Sequence, residues 1–151
     1  MNNDLVARAS VVIDAPRARV WHALVTPGEI RHYMFGAEVS SDWSVGSPVT
    51  WRGEWQGSAY EDKGVILEAD RERALSYSHF SPSGVSGAPG DFHTITIRLS
   101  GDGAQTVVAL TQDGNSGERA RDDSEKNWAA MLNALKHFVE GAAATGLKAA
   151  A

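Results

Sequence analysis

An α+β domain, one antiparallel sheet with its helices segregated to one face, is the fold class that the sequence predicts. Three observations carry it. From Phe35 to Gln112 apolar and polar residues alternate with period two, as they do in strands that bury one face. After Gly117, the residues Trp128, Met131, Leu132, Leu135, Phe138 and Val139 fall on one stripe of a helix. Between the first strand and the alternating region lie two short helical patterns opened by prolines. With 151 residues there is room for a single core, which at this size buries roughly 68–70% of the unfolded chain's surface without disulfides or a structural metal.

The elements follow in order. Residues 5–13 read as the first strand, with Val11 and Ile13 on one face, and Asp14-Ala15-Pro16 ends it. Pro16 suits the first turn of a helix, where its missing N–H leaves nothing unpaired, and Val20, Trp21 and Leu24 give that helix an inner side to about Val25. Thr26-Pro27-Gly28-Glu29 has the form of a capping box and opens a second short helix, with Ile30 and Met34 inside. Turn residues at Asp42–Ser44, Gly57-Ser58, Asp70–Glu72 and Gly101–Gly103 divide the strands that follow. Val49, Trp51, Gly53 and Trp55 share one face, as do Leu75, Tyr77 and His79, then His93, Ile95, Ile97 and Leu99, then Val108, Leu110 and Gln112. Residues 81–90, rich in Ser, Gly and Pro, are too long for a tight hairpin and are expected to overhang a cavity mouth. The last helix is expected to end at Gly141, closing a single domain over 1–141 and leaving an Ala-rich, frayed tail at 142–151.

Composition removes several function classes. Lys and Arg number 14 against 19 Asp and Glu, a net charge of -5, and no basic cluster is dense enough to neutralise a row of phosphates. Nucleic acid is therefore not expected as a partner. The chain has no cysteine, which excludes thiolate zinc sites, iron–sulfur clusters and thiol nucleophiles. No apolar run approaches the length of a membrane span, and Met1-Asn2-Asn3-Asp4 lacks the basic start of a signal peptide, so a cytoplasmic location is expected. Gly101-Asp102-Gly103 has no third glycine in frame for a dinucleotide fingerprint, and Gly84-Val85-Ser86-Gly87-Ala88 lacks the spacing of a nucleophile elbow. No cofactor is implied.

The run from Ile13 to Thr26, IDAPRARVWHALVT, resembles the opening of the SRPBCC or START-like superfamily, in the branch named for the activator of the heat-shock-protein ATPase. Further matches come in order: Val45-Gly46, Gly64–Glu68, Arg73–Tyr77, the strand from Thr106 to Leu110, and Trp128–Leu135 in the last helix. The resemblance spans about residues 5–141. It implies a helix-grip fold, a curved antiparallel sheet wrapped around the long C-terminal helix, with an apolar pocket between them. The chain departs from the family pattern at Ser47, where a second glycine is common, and at Tyr33, where Trp is common. The branch name implies a chaperone as a partner, although the eponymous activator carries a further N-terminal domain that these residues do not match. The superfamily also includes carriers, cyclases and hydrolases, so fold alone does not fix the activity.

Histidine is the first side chain to consider for chemistry, because imidazole titrates near neutrality. His22, His32 and His137 fall on the predicted helices and read as surface or packing residues. His79 and His93 fall inward on the strands flanking the long connection, where strand pairing would bring them together at the polar end of a pocket. A metal site would need Asp91 or Glu54 as a third ligand, and without an HxH or HExxH spacing no metal is assigned. Acid–base work by Tyr77, His79 or His93, as in a cyclase or hydrolase, has no pair of readable separation behind it, so no catalytic residue is assigned. The leading reading is a binding protein. Tyr33, Phe35, Trp51, Trp55, Tyr77 and Trp128 are expected to converge with Met131, Leu132 and Leu135 on a pocket for an apolar or aromatic small molecule. His79, His93 and Gln112 would be its few polar groups, and a filled aromatic core is the competing reading. The charged run Glu118–Lys126 reads as a solvated helix start.

Overall fold

The computed structural model describes residues 5–55, 57–80, 92–101 and 103–150. Strand β1 (Ala7–Ile13) leads into helices α1 (Arg17–Val25) and α2 (Pro27–Tyr33). Strands β2 (Glu38–Ser41), β3 (Pro48–Trp55), β4 (Ser58–Asp70), β5 (Ala74–Phe80), β6 (Phe92–Ser100) and β7 (Thr106–Gln112) follow, and α3 (Glu118–Ala150) ends the chain. The sheet is wholly antiparallel in the order β1-β7-β6-β5-β4-β3-β2, a meander whose last strand pairs with its first. It curves around α3, with α1 and α2 filling the rest of the concave side: a helix-grip fold. The 81–90 connection lies outside the described residues.

The period-two faces fall where the alternation puts them. Val49, Trp51, Ile66, Leu75, Tyr77, Ile95, Ile97, Leu99, Val108 and Leu110 are buried on the concave side, opposite Met131, Leu132, Leu135 and Val139 of α3 and Val20, Leu24 and Ile30 of the short helices. β5 is the exception, because Ala74, Ser76 and Ser78 on its other face are buried as well. Ser76 Oγ lies 3.1 Å from Thr96 Oγ1, and Ser78 Oγ accepts the Val65 N–H at 2.9 Å. Here β4 presses closely on β5: a Cβ on Gly64 would stand 1.8 Å from the Ser78 carbonyl oxygen. A register shift between Ile66 and Glu68 adds local bend and twist.

β1 is an edge strand, and unpaired edges invite association. Side chains of α3 occupy some of its free backbone groups. Glu125 accepts the Arg8 N–H at 3.0 Å, Lys136 Nζ donates to the Val12 carbonyl at 2.9 Å, and just past the strand Glu140 accepts the Asp14 N–H at 2.8 Å.

Three local expectations are corrected. The Thr26–Glu29 capping box does not form. Thr26 is the N-cap of α2 with Pro27 at the first helical position, but its side chain makes no capping bond, and Glu29 instead pairs with Arg19 at 2.8 Å and His22 at 3.2 Å. Pro16 stands one position earlier than expected, as the N-cap residue of α1. The last helix does not stop at Gly141. Its backbone continues to Ala150, since a helical glycine costs only about 1 kcal/mol relative to alanine and the following alanines are the strongest helix formers. The departure at Ser47 leaves the turn intact: Gly46 takes the left-handed conformation at φ 90°, and Ser47 Oγ donates to the Ser44 carbonyl at 2.7 Å.

Candidate functional site

At one end of the interface between sheet and helix the packing opens into a cavity of about 470 Å³. Its sheet wall comes from β3, β4, β5, β6 and β7, and its other wall from the first half of α3, where Ala120, Ser124, Asn127, Trp128 and Met131 face it. Trp51 and Tyr77 form an aromatic floor with ring centroids 5.2 Å apart. Phe35, Trp51, Tyr77, His79, His93, Gln112, Trp128 and Met131, of the residues singled out above, all line this space.

The other four are placed differently. Tyr33 is buried apart from the cavity, its hydroxyl donating to the Ala23 carbonyl at 2.8 Å. Leu132 and Leu135 are fully buried, packed in the aliphatic core and outside the cavity lining. Trp55 ends β3, and its side chain lies outside the described residues. Phe35 is a rim residue more than a wall: α2 gives way to a left-handed turn, with Phe35 at φ 57° and Gly36 at φ 84°, and the ring is 70% exposed.

His79 and His93 are paired residues on β5 and β6, their rings stacked at 6.3 Å. Nε2–H of His79 donates to Oδ2 of Asp62 at 2.8 Å, and the ring meets Trp51 edge-on at 5.1 Å. Asp62 is only 2% exposed. His93 Nδ1 lies 2.8 Å from the Asp113 carbonyl and 3.2 Å from Gln112 Nε2.

Gln112 anchors the polar side of the cavity. Its Oε1 accepts the indole N–H of Trp128, which fixes the orientation of the amide, and its Nε2 donates to Asn115 Oδ1 at 3.4 Å. Asn115 Nδ2 donates to the carbonyls of Leu5 at 2.7 Å and Gln112 at 3.1 Å, and Ser124 Oγ donates to Asn115 Oδ1 at 3.0 Å. This chain of bonds ties β7, the turn after it and the start of α3 into one polar wall, held rigid because each buried group has a partner.

Burial pushes the Tyr77 hydroxyl well above the usual phenol range, and burial followed by the nearby Asp62 carboxylate raises that of Tyr60. Tyr33 is raised by burial, then by Tyr77 and Glu29. These phenols therefore hold their protons more tightly than a free phenol does, which disfavours them as bases or nucleophiles. Among the described residues no group of three or more His, Asp or Glu is arranged to hold a metal ion. Glu54 is exposed, and Asp91 lies outside the described residues.

Sequence reasoning missed Asp62, Asn115 and Asp123. Asp62 carried a signal, since Tyr60, Asp62, Gly64 and Ile66 alternate inward along β4. Asn115 sits in Gly114-Asn115-Ser116-Gly117, where turn chemistry explains it equally well. Asp123, read as part of a solvated helix face, stands at the cavity rim.

The family model described as Activator of Hsp90 ATPase homolog 1-like protein matches residues 14–140. The chain belongs to that family. Within the SRPBCC superfamily, this places it in the branch of activator-of-Hsp90-ATPase homologues. The solution structure of ChR145 from Cytophaga hutchinsonii is 46% identical to this chain, with a TM-score of 0.80 over 95% of this chain and 99% of that one. Protein MLL2253 from Mesorhizobium loti has a TM-score of 0.74 at 17% identity, covering 89% of this chain and 96% of that one. The Aha1 dimer from Colwellia psychrerythraea has a TM-score of 0.68 at 18% identity, covering 89% and 96%. These last two likenesses concern the fold alone. No curated protein sequence matches this chain. Among the described residues no helix is long and apolar enough to cross a membrane.

Proposed function

We propose that this protein is a cytoplasmic small-molecule binding protein that holds an apolar or aromatic ligand between the sheet and α3. The observation that carries this reading is the cavity: about 470 Å³, within the range of small-molecule sites, its aromatic and aliphatic surface interspersed with polar groups, of which His79, Gln112 and Asn115 are bonded in place. The bonded wall from Trp128 through Gln112 to Asn115 would orient a ligand at little entropic cost, because it is already ordered. Native mass spectrometry of the protein purified gently from its own host should find a co-purifying mass. Ala120→Trp, which fills the cavity from α3, should lose that mass while keeping the fold. No bound mass, together with no thermal shift across an apolar ligand library, would remove the reading.

A cochaperone role is the second reading. The family name favours it, as does an apolar spot on the convex face of the sheet, where Val12 and Val107 are paired across β1 and β7 and both exposed. Stimulation of ATP hydrolysis by the host's own Hsp90-type chaperone, lost in Val12→Glu/Val107→Glu and retained in Ala120→Trp, would establish it over the carrier reading.

A further inference from the structure

The charge of the cavity narrows its ligand, on the reading of the cavity as a binding site. Two carboxylates line it, the buried Asp62 and the exposed Asp123 at its rim, and no Lys or Arg is among the described lining residues. Residues 81–91, which join the strand ends bearing His79 and His93, contain no Lys or Arg in their sequence, and Asp91 is their only charge. Among the described lining residues only the two imidazoles can carry a full positive charge, and His79 gives its Nε2–H to Asp62. An anionic ligand would therefore meet two carboxylates with no Lys or Arg among the described lining residues to offset them, whereas a cation would be attracted by both.

The aromatic residues point the same way. Trp51, Tyr60, Tyr77 and Trp128 line the same space, and the face of an indole or phenol ring attracts a cation, most strongly when water is excluded. The field of Asp62 reaches its neighbours, since it adds to burial in raising the Tyr60 hydroxyl. We infer that the cavity takes an organic cation, an apolar or aromatic body carrying a quaternary or protonated amine, with the charge set among the aromatic faces toward Asp62 and Asp123.

The test compares three probes of similar size and different charge by titration calorimetry: phenyltrimethylammonium, tert-butylbenzene and benzenesulfonate. The cation should bind about tenfold tighter than the neutral probe, with the sulfonate weakest. Asp62→Asn should remove most of that preference, read as the ratio of the cation's affinity to that of tert-butylbenzene in the same variant, since a neutral probe gains nothing from the carboxylate. Should Asp62→Asn fail to fold, Asp123→Asn at its exposed position serves instead, with an expected loss of about threefold for the cation alone. Equal affinity for cation and neutral probe, tightest binding of the sulfonate, or equal losses for cation and neutral probe in the variant would overturn the inference and leave the cavity reading standing. Failure of all three probes to bind would overturn the inference, and the cavity reading would fall with it only if the protein also shows no co-purifying mass and no thermal shift across the apolar library.

Discussion

The interface between α3 and the sheet has two ends built from the same strands and one continuous helix, yet one end is solid and the other hollow. At the solid end Leu132, Leu135 and Val139 meet Ile13, Val20, Ile97, Leu99 and Val108, all buried. At the hollow end the same helical stripe carries Ala120, Ser124 and Trp128, and the same strands present His79, His93 and Gln112. β5 and β6 show the change within a single pairing: Leu75 lies opposite Ile97 in the core, and four residues along, His79 lies opposite His93 at the cavity. Interiors pack to crystal-like density wherever side-chain volume allows. A space of about 470 Å³ persists where small helix residues leave volume unfilled and bonded polar groups hold the walls apart.

The sharpest way to break this contrast is to exchange the character of the two ends. Leu135→Asp puts a carboxylate into the solid end with no partner and no route to water, and the domain should unfold at room temperature, as read by circular dichroism. Ser124→Leu at the hollow end has space to occupy and should leave a cooperative melt. An ordinary melt for Leu135→Asp would mean that the stripe on α3 does not hold the fold together.

Gly64 sharpens the contrast from the sheet side, because it lies on the strand that carries Asp62. A Cβ there would meet the backbone carbonyl of Ser78, which has no flexible end to move aside. Gly64→Ala should cost about 1–3 kcal/mol or more in urea unfolding and, by forcing β4 from β5, disturb the Asp62–His79 bond and ligand affinity together. Loss of stability with ligand affinity unchanged would show that the cavity wall does not depend on this close approach.

The solid end has a pH-dependent fastening. Lys136 and the Asp14 N–H hold the Glu140 carboxyl below the usual carboxylate range, so the folded state binds that proton less readily than the unfolded state does. Its contribution is present above the unfolded carboxylate's ordinary pKa and is lost as pH falls through the depressed folded value. Because Glu140 is partly solvent-exposed, the effect is at most about 1 kcal/mol. Glu140→Gln should show a shallower loss of melting temperature between pH 5 and 3, taken as a window about the ordinary carboxylate value; identical acid profiles would remove the fastening from the account.

What the sequence reveals divides along the same line as the two ends. Strand faces and the α3 stripe are legible because they depend only on the period of each element, and for that reason His79 and His93 are placed together from phase alone. Asp62 follows the same rule but hides among ordinary polar residues, and only its distance to His79 marks it. The cavity itself is not periodic. Its existence depends on summed volumes across five strands and a helix, which no local pattern contains. Phe35 shows the limit from the other side: an aromatic next to the alternating region reads as interior, yet the left-handed turn at Phe35-Gly36 carries it to the surface.

Thr26 gives the smallest expected effect and separates local pattern from tertiary competition. The Thr-x-x-Glu spacing satisfies the capping rule, but Glu29 lies within reach of the guanidinium of Arg19 from the preceding helix, and a charge-assisted pair outcompetes a bond back to the N-cap N–H. With Glu29 engaged elsewhere and the Thr26 hydroxyl making no capping bond, the start of α2 is held by the Thr26 carbonyl. That oxygen accepts the N–H of Glu29 at 2.9 Å and of Ile30 at 3.0 Å, and any residue at position 26 supplies it. Thr26→Ala should therefore change stability by less than about 0.5 kcal/mol, against roughly 0.5–2 kcal/mol for removal of a side chain that caps. Paired urea melts of wild type and variant decide it: a loss above about 1 kcal/mol, typical of a working cap, would mean that the hydroxyl caps the helix in solution and that the Arg19–Glu29 pair is not what displaces the box.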